Sequence, residues 1–382
     1  MMRPMKLAGS ELMFGAGCLE YIKNIKAERV SIVIGGSSME KNGILKRIEG
    51  YFQENGVKTN VIRGVEPDPS FETVMRGARE MQDFAPDLIV GLGGGSAMDA
   101  AKAMWIFYEH PKLQSMEDIM PPNEFPKLRN KARLCCIPST SGTASEVSRS
   151  IVISDNEKGM KHGLGNMEMM PDIAICDPVV TVSMPAKITA ETGMDALTHA
   201  LEALVSQRAN YLSDTLAVKA ALDVLEYLPQ AYQSGTDIEA REKMQLASMV
   251  AGMAFTNVSL GIVHSMAHTV GSYFHVPHGL ADAVILPFVI QYNSADERSR
   301  LIYHELAQKA GVGDLREAVT GLNRQLNIPG GLGEIISDEE AYMSKVVEMA
   351  PIALADGCTK TNPIIPTVEE LIELFKKVYK GE

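Results

Sequence analysis

Histidine and aspartate residues cluster in the second half of the chain at spacings that suit metal binding. Five of the eight histidines lie between positions 199 and 278, namely His199, His264, His268, His275 and His278. Asp195 and His199 are four residues apart, so both project from one face of a helix. His264 and His268 have the same spacing. A lone histidine is usually a surface or core residue, but this pattern with a carboxylate favours a metal site.

The types of these residues narrow the choice of metal. Three imidazoles and one carboxylate suit Fe²⁺, Zn²⁺, Co²⁺ or Ni²⁺. Four protein ligands would close a tetrahedral zinc site, whereas an ion that accepts five or six ligands keeps a position open for substrate. A four-ligand set therefore favours iron, with zinc as the alternative. Position 265 is Ser, so the HExxH motif of metalloproteases is absent.

A glycine-rich loop in the first half has the chemistry of a phosphate-binding turn. The apolar run Leu88–Val90 leads into consecutive glycines at 93 to 95 and then Ser96. Gly94 and Gly95 let backbone N–H groups approach a ligand closely, and the N-terminus of a following helix attracts pyrophosphate. Ser96 can cap that helix or donate to a phosphate oxygen. The loop matches neither GxGxxG nor Walker A, so a ligand-free turn is the alternative.

Two further polar loops follow predicted strands. The segment Pro138–Glu146 offers several hydroxyls, including those of Thr140 and Thr143, which suit ribose, amide and phosphate oxygens. In the turn after the first predicted strand, Gly36 and Ser37 stand where many NAD sites have a carboxylate for the ribose 2′-OH. Small polar residues leave room for a 2′-phosphate, so this turn favours NADP over NAD. A solvated loop and a plain turn are the respective alternatives.

Alternation of apolar and amphipathic segments predicts an α/β fold followed by helices. The predicted strands are Val30–Ile34, Thr59–Ile62, Leu88–Val90, Leu134–Ile137, Ile151–Ile153 and Ile173–Ile175. With helical stretches between them, these runs predict a doubly wound, mainly parallel sheet. After Pro185, long segments rich in Ala, Leu and Met predict an all-helical domain. We place a dinucleotide-binding domain at 1–184 and a metal and substrate domain at 185–382.

Composition limits the partners and the compartment. A net charge of −12 opposes binding to nucleic acid or to anionic membranes. The N-terminus lacks a signal-peptide apolar stretch, and apolar runs fall short of the ~20 residues that a membrane span needs. Five cysteines without CxxC spacing fit a reducing cytoplasm.

The loops and the histidine cluster together resemble those of the iron-containing alcohol dehydrogenase family, also called group III. The residues that carry the resemblance are Gly93–Ser96 with Asp99 and Lys102, Pro138–Glu146, Pro171–Pro178, Gly193–Glu202, Leu260–His268, Pro277–Gly279 and Asn362–Pro363. They run along essentially the whole chain. The resemblance implies that an N-terminal α/β domain binds the dinucleotide and that a helical domain carries the metal.

The resemblance also implies roles for single residues in the helical domain. The implied metal ligands are Asp195, His199, His264 and His278, whereas His275 is not a ligand in the family. His268 is implied to lie beside the nicotinamide and the substrate, where it relays a proton. Phe255 and Cys358 match positions near the substrate pocket.

Cofactor roles follow from the same resemblance. Asp99 belongs to the glycine-loop motif, and Lys161 matches a position that contacts the cofactor's ribose. The Gly36–Ser37 turn resembles that of NADP-using butanol dehydrogenase-type members, whereas relatives of the lactaldehyde reductase type have Asp there. The predicted cofactor-binding set is Gly36, Ser37, Gly94, Gly95, Ser96, Asp99, Thr140, Thr143 and Lys161.

The implied activity is hydride transfer between NAD(P) and a small primary alcohol, diol or aldehyde, with the metal as a Lewis acid. A homodimer is the family expectation. Three alternatives use part of the same pattern: a dehydroquinate synthase-like or glycerol dehydrogenase-like enzyme, a metal-dependent hydrolase, and a non-catalytic nucleotide sensor. The hydrolase predicts no dinucleotide binding, and the sensor predicts binding without turnover.

Overall fold

The computed structural model describes residues 4–156 and 160–382 of the chain. Contacts divide the chain into two compact units, Met1–Met184 and Pro185–Glu382. In the first unit the strands are β1 (Glu11–Phe14), β2 (Arg29–Ile34), β3 (Lys58–Ile62), β4 (Leu88–Gly93), β5 (Arg133–Pro138), β6 (Ser150–Asp155), β7 (Met160–Gly165) and β8 (Ile173–Cys176). Its helices are α1 (Ser38–Lys41), α2 (Ile44–Glu54), α3 (Phe71–Phe84) and α4 (Gly95–Glu109).

Six strands form one parallel sheet in the order β1-β8-β5-β4-β2-β3. Strand β3 lies at the edge of the sheet, next to β2, whereas β4, β5 and β8 lie on the opposite side of β2. The loops that follow β2 and β4 therefore diverge at a topological switch point, where open α/β sheets bind ligands. The prediction of a mainly parallel, doubly wound sheet is confirmed.

Central strand β4 shows why this sheet forms. Its side chains alternate between two apolar layers: Leu88 and Val90 pack in the layer that includes Phe52 of α2, and Ile89 packs in the layer that includes Trp105 of α4. A strand that is covered on both faces needs a continuous run of apolar residues, and Leu88–Val90 is such a run.

One predicted strand does not belong to the parallel sheet. The segment Ile151–Ile153 lies in β6, which pairs antiparallel with β7 in a separate two-stranded sheet. Ile151 and Ile153 are buried while Val152 between them is half-buried. This alternation is typical of a hairpin with one covered face, and the short run of three apolar residues concealed it. The half-buried edge strand β1 contains the three apolar residues Leu12–Phe14 and is not among the predicted strands.

All regular elements of the second unit are helices. They are α5 (Ala186–Val205), α6 (Tyr211–Gln233), α7 (Ile238–Val258), α8 (Ile262–Phe274), α9 (His278–Asn293), α10 (Glu297–Lys309), α11 (Leu315–Gln325), α12 (Glu339–Ala355) and α13 (Val368–Lys380). Helix α5 is central, because α6, α7 and α9 all pack against it. From Thr189 to Val205 only Thr192 is not buried. The prediction of a helical second half is confirmed.

No single helix in the described part of the chain is long and apolar enough to cross a membrane. The helices α7 and α8 meet this criterion of length and composition only as a pair, and they are bent by 101°.

Candidate metal centre and nucleotide-binding loops

Helix α5 carries three acid and imidazole groups on one buried face. Asp195 and His199 are one turn apart, and Glu202 follows within the next turn. The Nε2 atom of His199 lies 3.5 Å from Oδ1 of Asp195. All three side chains are buried, so α5 presents charged or polar groups to the interior of a helical unit. Burial of this kind is costly unless the groups bind a partner.

Helices α8 and α9 bring two more imidazoles to Asp195. The Nε2 atoms of His264 and His278 lie 3.8 and 3.9 Å from Asp195 Oδ1. His278 is the first residue of α9, and the next residue is Gly279. A Cβ atom at Gly279 would lie 2.3 Å from the backbone oxygen of Glu191, so only glycine lets α9 begin this close to α5. The glycine that follows His278 therefore allows the His278 imidazole to lie close to Asp195.

The geometry of these groups fits one divalent ion. Protein ligands stand about 2.1 Å from such a metal, so two ligands of one ion lie at most about 4.2 Å apart. The distances of 3.5, 3.8 and 3.9 Å from Asp195 meet this limit. Both Asp195 Oδ1 and His264 Nε2 are buried and form no hydrogen bond with any described residue. Two buried ligand atoms that lack hydrogen-bond partners are what a metal site requires.

Glu202 orients His264 for this role. Its carboxylate accepts a 2.6 Å hydrogen bond from His264 Nδ1 and further bonds from the backbone N–H groups of Gly261 and Val263 at the start of α8. Burial lowers the pKa of His264 well below its usual value, which keeps the imidazole neutral. With the proton on Nδ1, the Nε2 lone pair faces Asp195. This carboxylate–histidine arrangement is common behind metal ligands.

Asp282 also lies at the centre, and the sequence analysis missed it. Its Oδ2 is 3.2 Å from His278 Nε2 and 3.9 Å from His264 Nε2. Ligand atoms of Asp195, His264, His278 and Asp282 all lie within 4.8 Å of one another. The available signal was the spacing, because His278 and Asp282 are four residues apart, as Asp195 and His199 are.

His268 lies at the more open side of the centre. Its ring stacks on that of His278, with centroids 5.3 Å apart, and both side chains are more than a third exposed (36 and 38%). The Nδ1 atom of His268 is 2.9 Å from Oδ2 of Asp356, a second partner that the sequence analysis missed. A small molecule can therefore approach the centre from the His268 side.

The predicted pocket residues Phe255 and Cys358 lie next to these histidines. The ring of Phe255 stacks on His199 with centroids 4.3 Å apart. A ligand atom of Cys358 lies within 4.8 Å of those of His268 and Asp356. Burial raises the pKa of the Cys358 thiol well above its usual value, so this group is neutral. His275 is exposed and caps the end of α8, away from the ligand atoms.

In the N-terminal unit, the ends of β2, β4 and β5 bring the three predicted loops to one edge of the sheet. The second and third glycines of the glycine loop lie against the threonines of the next loop. A Cβ atom at Gly94 would lie 3.3 Å from Thr140 Cγ2, and one at Gly95 would lie 2.7 Å from Thr143 Cγ2. Thr140 Oγ1 is buried and forms no hydrogen bond within the described ranges. This glycine cradle and its unsatisfied hydroxyl fit a phosphate or ribose group.

Two further predicted cofactor residues, Asp99 and Lys161, already have protein partners. Asp99 accepts hydrogen bonds from Ser145 Oγ and from the backbone N–H of Val152, so it links the second loop to the hairpin. Lys161 pairs with Asp68 at 2.8 Å. Ser96 lies inside the first turn of α4 because Gly94 is the N-cap, so the expectation that Ser96 caps the helix is wrong. Its hydroxyl stays available for a phosphate.

Gly36 and Ser37 lie on the exposed turn between β2 and α1. The register of β2 and β3 pairs Val33 with Ile62, so Arg63 begins the loop beside this turn. Arg63 is held there by Glu40, with Nε 2.9 Å from Oε1. No arginine is near Gly36 along the chain, and only the pairing of β2 with β3 brings the loop that begins at Arg63 beside this turn.

Comparison with known proteins matches both units to one family. Residues 9–178 match the model "Iron-containing alcohol dehydrogenase", and residues 189–379 match "Fe-containing alcohol dehydrogenase family, C-terminal". The chain belongs to the iron-containing alcohol dehydrogenase family. Its family membership agrees with the resemblance found from the sequence.

Three relatives illustrate the range of this family. The chain is 44% identical to the NADPH-dependent butanol dehydrogenase of Clostridium saccharobutylicum, with 97% of each covered. It is 40% identical to aldehyde-alcohol dehydrogenase 2 of Entamoeba histolytica, where 97% of this chain matches 46% of that protein. The structure of an iron-containing alcohol dehydrogenase from Thermococcus thioreducens superposes with a TM-score of 0.92 at 37% identity, covering 99% of this chain and 100% of that one.

As a member of the iron-containing alcohol dehydrogenases, the chain is an oxidoreductase of alcohols and aldehydes. The structure places the Nε2 atoms of the other three predicted ligands, His199, His264 and His278, within 4 Å of Asp195 Oδ1. His199 is not in the group of ligand atoms that all lie within 4.8 Å of one another. The predicted pocket residues His268, Phe255 and Cys358 lie beside these histidines. It also brings the predicted glycine and threonine loops together at one sheet edge. The role of each residue in binding and catalysis stays a prediction.

Proposed function

We propose that this enzyme interconverts small primary alcohols or diols and their aldehydes, with NADP as the preferred hydride carrier and Fe²⁺ as the metal. The observation that carries the proposal is the convergence of His199, His264 and His278 on Asp195 from three helices. Two of these ligand atoms, Asp195 Oδ1 and His264 Nε2, are buried and form no hydrogen bond with a described residue. Zn²⁺ is the alternative metal. The N-terminal unit is proposed to hold the dinucleotide, and the C-terminal unit to hold metal and substrate.

The residues around the metal centre have separate proposed roles. The metal supplies a Lewis acid that stabilises negative charge on the substrate oxygen. Glu202 keeps the His264 lone pair directed at the site, and the stacked ring of Phe255 holds His199 in place. Asp356 fixes one nitrogen of His268, which leaves Nε2 to hold or release the proton that is exchanged during the reaction. Phe255 and the neutral Cys358 thiol offer an apolar wall to a short carbon chain.

Charge around the centre favours a neutral substrate. The segments 192–202 and 260–280, which supply most of the site, contain no Lys or Arg. A dehydroquinate synthase-like reaction on a polyanionic substrate would need several basic groups at the metal. The names of the butanol dehydrogenase and aldehyde-alcohol dehydrogenase relatives agree with small uncharged substrates.

The NADP preference has three supports. Gly36 has open space around its Cα, so the turn leaves room for a 2′-phosphate. Arg63 lies in the loop beside it and supplies a cation that can pair with that phosphate. The relative from Clostridium saccharobutylicum is also named as NADPH-dependent.

Two expectations from the sequence stay untested predictions. The cytoplasmic location is supported by five free cysteines, three of which are buried. The homodimer is the expectation for the family. Size-exclusion chromatography with light scattering measures the second directly.

The proposal is tested by purifying the enzyme anaerobically, measuring its metal content, and assaying C2–C4 aldehydes with NADPH and NADH. We expect bound iron and a higher kcat/KM with NADPH than with NADH. Cofactor binding without turnover on any alcohol or aldehyde would contradict the proposal, and so would full activity in metal-free protein. A preference for NADH would overturn only the cofactor assignment.

A further inference from the structure

Asp282 is a buried carboxylate without a conventional partner. Its side chain is 0% exposed, and neither oxygen accepts a hydrogen bond from an N–H or hydroxyl group of the described residues, so its hydrogen-bonding neighbour is the carboxyl of Asp195. Its charged neighbours at ion-pair distance are the imidazoles of His264 and His278. Another buried acid of this unit, Asp223, has a conventional partner, because its Oδ1 lies 2.6 Å from Lys219 Nζ.

Two carboxyl groups this close in one buried site can both ionise only beside a cation. Ligand atoms of Asp195 and Asp282 lie within 4.8 Å of each other and of two imidazoles. Removing one uncompensated carboxylate from water costs several kcal/mol, and two such groups also repel each other. The described neighbourhood contributes no Lys or Arg ion pair to either acid. A divalent metal between them would satisfy both.

We propose that Asp282 is a fifth protein ligand of the metal, beside Asp195, His199, His264 and His278. This inference rests on the proposed metal-dependent function. The distances of 3.2 Å to His278 Nε2 and 3.9 Å to His264 Nε2 are those of groups that share one ion. Helix α9 then contributes two ligands, His278 and Asp282, from one face.

A fifth ligand changes which metal the site suits. Five protein groups exceed the tetrahedral set that zinc prefers and match an octahedral ion with one position left. A substrate would reach the metal from the partly exposed side of the site, at His268 and His278. A second carboxylate also neutralises the divalent charge, so a neutral alcohol meets a centre without net charge. Fe²⁺ and Co²⁺ therefore lose more than Zn²⁺ when Asp282 is replaced.

The test compares three carboxylate-to-amide variants of the full-length enzyme: Asp282→Asn, Asp195→Asn and the control Asp223→Asn. Each is stripped with a chelator, and its affinity for Fe²⁺, Co²⁺ and Zn²⁺ is measured by competition. We expect Asp282→Asn to weaken Co²⁺ and Fe²⁺ binding by more than about 100-fold, beyond the 10- to 100-fold typical of a residue that only orients a ligand. Zn²⁺ binding should fall less, and Asp223→Asn should bind all three metals normally.

Spectroscopy and stability give readouts that are independent of activity. Co²⁺ absorbs more strongly as its coordination number falls, so the visible absorbance of Co²⁺-loaded Asp282→Asn should exceed that of the wild type. The metal-free variant should melt at the same or a higher temperature than metal-free wild type, because a repelling charge has gone. If Asp282→Asn does not fold without metal, Asp282→Ser is measured in the same way.

The outcomes separate this inference from the proposed function. Wild-type affinity and an unchanged Co²⁺ spectrum in Asp282→Asn, together with loss of metal in Asp195→Asn, would overturn the fifth ligand and leave the function standing. Retained metal and activity in Asp195→Asn would instead overturn the proposed metal-dependent function.

Discussion

The two candidate sites are built from opposite materials. The metal centre consists of ionisable side chains on three helices, buried except for His278, and each of them supplies one indispensable atom. The nucleotide-binding edge consists of backbone groups, glycines and neutral hydroxyls at the ends of three strands. Loss of one metal ligand should therefore act almost all-or-none, whereas changes at the sheet edge should act in graded steps. The predictions below test this contrast from the largest effect to the smallest.

Replacement of His264 by Gln should have the largest effect. It removes a buried Nε2 that lies 3.8 Å from Asp195 Oδ1 and leaves Glu202 without its imidazole partner. We expect kcat/KM to fall by about 10³-fold or more, since a Lewis acid supplies several kcal/mol at the transition state. Bound iron, measured by elemental analysis, should fall with it.

The matched control for this variant is His275→Asn. His275 is an exposed histidine at the end of the same helix, in a left-handed conformation (φ 54°) that asparagine also adopts. Metal content and activity should stay at wild-type levels. If the His275 variant loses iron as well, the proposed set of metal ligands is wrong.

Replacement of Gly95 by Ala should weaken the cofactor without touching the metal. The new Cβ would lie 2.7 Å from Thr143 Cγ2, so the two loops must separate. An overpacked contact of this kind costs about 1–3 kcal/mol, which predicts a 10- to 100-fold rise in the Kd for NADPH, measured by fluorescence titration. Iron content should not change.

A double variant sharpens that prediction. Thr143→Ser removes the Cγ2 atom that the new Cβ would meet, so Gly95→Ala/Thr143→Ser should recover part of the lost NADPH affinity. Equal affinity in the single and double variants would mean that Gly95 acts through something other than its contact with Thr143.

The same contrast explains what the sequence could predict. His199 and His264 were found because the helix period puts each one turn from another polar residue. Glu202 also has this spacing, three residues after His199, but the histidine that it orients, His264, lies 62 residues away. Asp356 lies 88 residues from His268 and has no such signal. Asp282 had the spacing but lay beyond a Pro277 turn, so the start of its helix was not evident. Only tertiary packing brings these carboxylates to the imidazoles.

At the sheet edge, local sequence predicted the loops but not their neighbours. Glycines and hydroxyls mark the turns after β4 and β5 because those backbone positions demand them. The contact between Gly95 and Thr143, and the position of Arg63 beside the Gly36 turn, depend on strand order and register. The segment Ile151–Ile153 shows the limit, since three apolar residues do not distinguish a hairpin from a central strand.

Replacement of Gly36 by Asp should change cofactor choice by a smaller factor. The position is open, so the carboxylate can enter without steric conflict and would face a 2′-phosphate. Repulsion of about 1 kcal/mol or more in this exposed turn predicts a roughly 10-fold fall in kcat/KM with NADPH. The value with NADH should change little. Gly36→Asn, of the same size but neutral, is the control, and an equal loss in both variants would argue against charge as the cause.

The smallest expected effect concerns Glu146, a buried carboxylate of the N-terminal unit that contributes to stability and not to metal binding. Burial raises its pKa to about 7, and its Oε2 forms no hydrogen bond with a described residue. Because the folded pKa lies above the unfolded value of about 4.5, folding favours the protonated form. The contribution to stability is complete below about pH 4.5 and is lost as the pH rises through 7.

Glu146→Gln, which stays neutral, should therefore be more stable than the wild type at pH 8 by about 1–3 kcal/mol, and the difference should vanish near pH 5. Melting temperatures of the metal-free proteins across this pH range measure the difference.

Glu109→Gln is the opposite case. Burial acts to raise the pKa of Glu109, but hydrogen bonds from the N–H groups of Lys131, Asn130 and Ala132 hold this pKa below its usual value. That variant should lose stability at neutral pH. If the stability advantage of Glu146→Gln over the wild type is no larger at pH 8 than at pH 5, ionising Glu146 in the folded protein costs little free energy. The contrast between a carboxylate that needs a metal and one that needs a proton would then fail.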